Sequence, residues 1–345
     1  MYATADAPRT VRAISPGRNR LFERGHGRGS ASSAMSATVV LACLLATGCN
    51  PLRPRPIVHQ GFRVAPELQA LGDAPIQRGQ ERPVIDSIGW VVGIPGRLLL
   101  WDPRIDNHHI SRATEAEVAA YCEANGLDHV VVRLNQYAPL QDWRRLRANK
   151  TVGWGYRYTL GTLTVLGEAI LPGRIFGGDR YNPFTATAHV YSDVPSIALH
   201  EAAHAKDFSR RRYPGTYALA YLIPGVALWH EREATADVFA YVEHRAEPQL
   251  REEAYRILYP AYGTYVGGTL GYVLPRYADP LYIGSVVTGH FAGHRAAIEI
   301  ERESFVPHPD DAQTLVLSPP DVLPPPDVPS PPDVLTPADE SDGGQ

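Results

Sequence analysis

Proline sets the limits within which this chain can fold. Pro-Pro-Asp-Val recurs at positions 319, 325 and 331, a period of six. Each proline removes a backbone donor and fixes φ near about −65°, so such a stretch samples extended polyproline conformations rather than a hydrogen-bonded ladder. Residues 306–345 are therefore expected to be a disordered Pro/Asp/Val-rich tail. A second stretch opens at Asn50-Pro-Leu-Arg-Pro-Arg-Pro56 and has no sustained apolar period; residues 49–82 are expected to be a tether. This leaves 83–305 as one folded domain, with a composition of 44% hydrophobic and 20% charged residues that can bury a substantial core.

The N-terminus carries a different signal. Six arginines between Arg9 and Arg28 precede the apolar run Ala37-Thr-Val-Val-Leu-Ala-Cys-Leu-Leu-Ala46, the order of a signal peptide over residues 1–48, with Met35 as an alternative start to Met1. The run is shorter than the roughly 20 residues a bilayer-spanning helix needs. It ends Leu44-Leu-Ala-Thr-Gly-Cys49, which resembles the bacterial lipobox, and that resemblance implies that Cys49 is lipidated and becomes the mature N-terminus. The expectation is a lipoprotein on the outer side of a bacterial membrane, tethered through its N-terminal lipid. Cys122 is the one cysteine left in the body, so there is no disulfide framework; it sits on an apolar helix face and reads as core. A formal net charge of −4 supplies no basic field, and a nucleic-acid partner is not expected.

Between the ends the pattern mixes helix and strand. Thr114-Glu-Ala-Glu117 is a capping box ahead of an alanine-rich helix that stops near Gly126. His129 to Leu134 reads as a buried strand, Asp142 to Asn149 as a polar helix, and Tyr156 to Leu166, broken by Gly161, as a hairpin or a pair of strands. Phe184, Ala186, Ala188 and Val190 alternate with Thr185, Thr187, His189 and Tyr191, the period of a half-buried strand. Asp193 and Pro195 then start a helix expected to run to about Arg212. The fold class expected is α+β, a small sheet with a largely helical C-terminal part.

The chemistry lies on that last helix. In His200-Glu-Ala-Ala-His204 the two imidazoles are four residues apart and project from one helical face, so they can grip one cation together. Glu201 is placed to take a proton from water rather than to act as a ligand. Zinc needs a third protein ligand if a fourth position is to stay open. Glu233 is the candidate, with Glu231 as its rival; Asp237 lies one turn after Glu233, whereas Thr235 lies one turn after Glu231.

A HExxH followed by Glu-x-x-x-Asp resembles the gluzincin clan of metallopeptidases, over about residues 184–244. The resemblance implies a zincin-like fold and one zinc per chain on His200, His204 and Glu233, with Glu201 as general base. It further implies that Asp237 orients His200 and that the strand at 184–191 is an edge strand binding peptide by strand addition. The apolar insertion Tyr217 to Trp229 is similar to membrane-associated gluzincins of the prenyl-protease and BlaR-sensor kinds. The expected activity is a zinc-dependent peptidase of the cell envelope acting on a peptide or protein substrate. The alternative is a non-catalytic zinc-containing envelope lipoprotein that binds a protein partner.

Three further features are weighed. An oxyanion donor is expected among Tyr213, Tyr217, Tyr221, His230 and His244, and the sequence does not choose between them. His290 and His294 repeat the four-residue spacing, but an intervening glycine weakens the helix that would position them as a second site. The small residues Gly263, Gly267, Gly268 and Gly271 point to close helix packing or shallow membrane contact.

Overall fold

The computed structural model describes residues 52–57, 65–245 and 247–305; Cys49, the expected signal peptide and the expected Pro-rich tail lie outside the described residues. The described chain is α+β and mostly helical. Its elements are α1 (Pro66–Gln69), β1 (Ile76–Arg78), α2 (Pro83–Val92), α3 (Ile94–Leu100), α4 (Arg112–Ala124), β2 (Val131–Leu134), α5 (Pro139–Ala148) and α6 (154–170). Next come α7 (Gly173–Phe176), β3 (Arg180–Asn182), β4 (Thr187–Val190), α8 (Pro195–Ser209), α9 (Pro214–Ala220), α10 (Pro224–Arg245), α11 (Pro248–Val273) and α12 (Ala278–Phe305).

The four strands form one mixed sheet in the order β1-β2-β4-β3. β1 and β4 each run parallel to β2, with Val132 opposite Ala188, while β3 is antiparallel to β4, with Tyr181 opposite Ala188. The strand before the HExxH helix is thus internal, and all four of its residues are buried. Both of its faces are covered, so the half-buried edge strand expected over 184–191 is corrected: the sheet's edges are β1 and, next to β4, β3. The stretch expected as tether is in part built into the domain as well. Leu52 and Ile57 are buried, Arg55 donates its N–H to the Ala236 carbonyl at 2.9 Å, and Ile76–Arg78 pair with β2. Proline-rich chain lacks a period of its own, yet single apolar residues and a three-residue strand can still be captured by a core formed elsewhere.

The segment expected as a hairpin at 156–166 is helical. Tyr156, Leu160 and Val165 pack with Leu146 and Phe184, and the π turn Arg157–Gly161 absorbs the extra residue in their spacing. Gly161 is a close-packing point rather than a break, since a Cβ there would lie 2.6 Å from Leu146 Cδ1. At α4 the cap is Ser111, whose side chain accepts from the Thr114 N–H, three residues before the expected box. Asp193 does not cap α8; it accepts from the Ser111 N–H at 2.8 Å and the Thr114 hydroxyl at 2.6 Å.

One main core joins the sheet to α4, α8, α10 and α11 and includes Val132, Val190, Leu199, Phe239, Leu258 and the buried thiol-bearing Cys122. α11 and α12 form a long antiparallel hairpin whose glycines allow the two backbones to touch. A Cβ on Gly267 would lie 2.5 Å from Tyr282 Cα, and one on Gly289 2.6 Å from Pro260 Cα. The glycine spacing therefore serves close helix packing. Among the described residues no single helix is long and apolar enough to cross a membrane.

Candidate metal centre

α8 begins at Pro195, where the absent N–H costs nothing, and runs to Ser209. Ala198, Ala202, Ala203 and Ala205 are fully buried, so small side chains allow the helix to lie against β3, β4, α4 and α10. That burial leaves one face for His200 and His204, whose rings stand edge to face with centroids 4.6 Å apart. Their Nε2 atoms are 3.1 Å apart. The third group comes from α10: Glu231 Oε2 lies 3.0 Å from His200 Nε2 and 3.4 Å from His204 Nε2.

These distances test whether a metal fits. Ligand atoms about 2.0–2.1 Å from a tetrahedral zinc are separated from one another by about 3.3 Å. The observed separations of 3.0, 3.1 and 3.4 Å are close to that edge length. Two imidazole nitrogens and a carboxylate oxygen converge this closely only with a proton or a cation among them. His200, His204 and Glu231 could hold a metal ion.

Glu233, the ligand expected from the Glu-x-x-x-Asp spacing, is elsewhere. Its two oxygens each accept at 3.0 Å, one from Arg210 and one from Arg232. Positions 231 and 233 differ by about 200° around a helix axis, so only one can point at the two histidines. Asp237 follows Glu233 to that other face, where it binds Lys206 Nζ at 2.8 Å and accepts from the Tyr121 hydroxyl and the Ile57 N–H. It thus anchors the N-terminal segment instead of orienting His200. Thr235, one turn after Glu231, places its Oγ1 3.4 Å from His200 Nδ1. The structure thus brings Glu231 to the two histidines and Thr235 to His200 Nδ1, the places that the sequence spacing assigned to Glu233 and Asp237.

Electrostatics follow from burial. Burial pushes the Glu201 carboxyl up to about 8, with Glu231 and Asp179 adding to the rise and His200 opposing it. Burial would also raise Glu231, but the paired histidines overcome it and hold that carboxyl at about 2. His204 loses from burial and gains more from Glu231, so its pKa is raised.

His204 and Glu231, with Glu201 beside them, line a cleft of about 430 Å³, while His200 lines a neighbouring cavity of about 220 Å³ together with Glu201, Glu231 and Tyr265. β3 forms one wall through Arg180 and Tyr181, and apolar side chains including Leu160, Leu163, Phe184, Phe208 and Leu222 form most of the rest. Asp207 fixes α9 against α8: it accepts from Arg211 at 2.5 Å and Arg210 at 2.8 Å, and from the Tyr217 hydroxyl. Of the five residues proposed by sequence as oxyanion donors, Tyr217 is thus committed to Asp207, His230 is fully buried, and Tyr221 lines the cleft. The residue that sequence reasoning missed is Tyr265 on α11, which lines the cleft beside His204, Glu201 and Glu231; desolvation of its hydroxyl and the neighbouring Glu231 and Glu201 carboxyls raise its pKa well above the ordinary tyrosine value. Its only trace in the sequence is the run Tyr255, Tyr259, Tyr262, Tyr265 at helical spacing.

His290 and His294 do not pair as ligands. His290 stacks on Trp101 with centroids 3.8 Å apart and hydrogen-bonds the Leu99 carbonyl at 2.8 Å. No protein family, curated protein or solved structure matches this chain.

Proposed function

We propose that this chain is a zinc-dependent peptidase of the gluzincin kind, with His200, His204 and Glu231 as ligands and Glu201 as general base. The observation that carries the reading is the convergence of His200, His204 and Glu231, two of which, His204 and Glu231, line with Glu201 a cleft walled by an edge strand. Zinc held there would lower the pKa of a bound water and polarise the substrate carbonyl. Glu201, buried beside His204 and Glu231 in the same cleft, takes the proton from the attacking water and delivers it to the leaving amine. Tyr265, protonated at neutral pH, donates a hydrogen bond to the developing oxyanion.

β3 supports binding of an extended peptide by strand addition along its outer edge, and the apolar cleft favours a bulky apolar side chain next to the scissile bond. A purely structural zinc site closes all four positions with protein groups, whereas among the described residues three candidate ligands converge beside a cleft, which supports an open fourth position. An acyl group on Cys49 would hold the enzyme at the cell envelope. The test is Glu201→Gln: full zinc content with turnover of an apolar peptide reduced by 10² or more supports the reading. Unchanged turnover in that variant would sink it.

A further inference from the structure

α2 and α3 carry their polarity in the opposite sense from helices packed on a core in water. Their protein-facing side is polar and tightly fitted. Asp86 accepts from Arg174 Nε at 2.7 Å and Nη2 at 2.9 Å. Arg97 donates to the carbonyls of Trp90, Ile105 and Asp106. Gly89 and Gly93 let the backbone lie against its neighbours, since a Cβ at either would come within 2.5 Å of another atom.

The outer side is apolar. Val84 is 75% exposed, Leu98 70%, Trp101 65% and Val91 57%, and Ile88, Trp90, Val92 and Ile94 are exposed beside them. From 83 to 101 the only charged side chains are Asp86 and Arg97, and both turn inward. α2 also packs against α7, where Phe176, with Leu171 and Ile170 just before it, is exposed as well.

We propose that this face docks on a lipid surface. A protein partner would ordinarily be met by a polar rim with paired charges, whereas this face offers two exposed tryptophans among aliphatic side chains, the composition of an interfacial membrane contact. The helices rest on the surface and do not cross it. Together the pair has the length and composition of a bent span, with a bend of 50°, but one side of it is fixed to the domain through Asp86, Gly89, Gly93 and Arg97, so only the outer side is free to meet lipid. The chain outside the described residues favours the same occupant: Cys49 stands three residues before Leu52, so an acyl group there would hold the domain within about 10 Å of the bilayer. Docking in turn presents the apolar cleft to substrates at the membrane, the one consequence that rests on the peptidase reading.

The experiment uses the full chain reconstituted with phosphatidylcholine vesicles, with and without brominated acyl chains that quench tryptophan on contact. Quenching that is reduced by Trp90→Phe and abolished for Trp90 by the double variant Val91→Glu, Leu98→Glu is expected. Both glutamates replace exposed residues, so zinc content and melting temperature should stay unchanged. An N-terminal anchor alone would leave Trp90 unquenched in the parent chain, and that result overturns the proposal. So does a parent chain that is dimeric and becomes monomeric in the double variant, which assigns the face to a second copy. Zinc content and hydrolysis are read separately, so failure of docking and failure of the metal-site reading are distinguishable.

Discussion

Replacing Gly263 by alanine should force α11 and α12 apart, and the structure sets the size of the effect. The added Cβ would lie 2.6 Å from the Ser285 carbonyl oxygen and 3.1 Å from Val286 Cα, both backbone atoms that cannot rotate away. Reaching ordinary contact at 3.4 Å requires the helices to separate by about 0.8 Å along that line (3.4 − 2.6). Overpacking of this kind costs about 1–3 kcal/mol, and alanine returns about 1 kcal/mol of helix propensity, leaving a net loss of up to about 2 kcal/mol. Gly268 on the same helix is the control, because a Cβ there meets nothing within 4 Å. Gly268→Ala should stabilise by about 0.5–1 kcal/mol. In a domain of this size that is a fall in melting temperature of up to several degrees for Gly263→Ala and a rise of about 1–4 °C for Gly268→Ala. Thermal melts of the two variants beside the parent read this directly. If both shift in the same direction, the close approach of the hairpin is not the reason for its glycines. Tyr265 sits two residues from Gly263, so Gly263→Ala should also lower turnover, and Gly268→Ala should not.

Tyr265→Phe should retain zinc and lose about 10²-fold in kcat, with little change in KM; a fall in KM-governed binding alone would reassign the hydroxyl to substrate capture. Acid should destabilise the fold through His129, which burial holds at about 4 against 6.5 in the unfolded chain. The unfolded state then takes up the proton first as pH falls. Its stabilising contribution is complete above pH 6.5 and by pH 5 has lost about 2 kcal/mol. Denaturant titrations at pH 7 and pH 5 on the parent and on His129→Gln should show the smaller loss in the variant, and equal losses would assign the acid sensitivity elsewhere.

What the sequence disclosed and what it hid have physical reasons. The helix bearing His200, Glu201 and His204 was legible because proline, alanine and the four-residue spacing agree locally. So were the buried strand at 131–134 and the core position of Cys122, since apolar runs and burial are short-range signals. The choice between Glu231 and Glu233 was not, because it depends on how far α10 is rotated about its axis when it packs on α8, a tertiary quantity. The Glu233–Asp237 spacing is real, but on the folded helix it serves Arg210 and Lys206. The segment 156–170 misled for a related reason: its β-branched and aromatic residues suit a strand, and only contact with Leu146 and Phe184 settles it as a helix. Tyr265 lies far along the chain from the motif and reaches the site only because the α11–α12 hairpin folds back over it.

The central claim is that Glu231 completes the metal site, and metal content measures it. Zinc per chain should be determined by plasma mass spectrometry on the purified protein and on His204→Ala, Glu231→Ala and Glu233→Ala. The account predicts about one zinc per parent chain, lost in His204→Ala and Glu231→Ala and kept in Glu233→Ala. Zinc retained in Glu231→Ala and lost in Glu233→Ala would contradict it and restore the spacing read from the sequence.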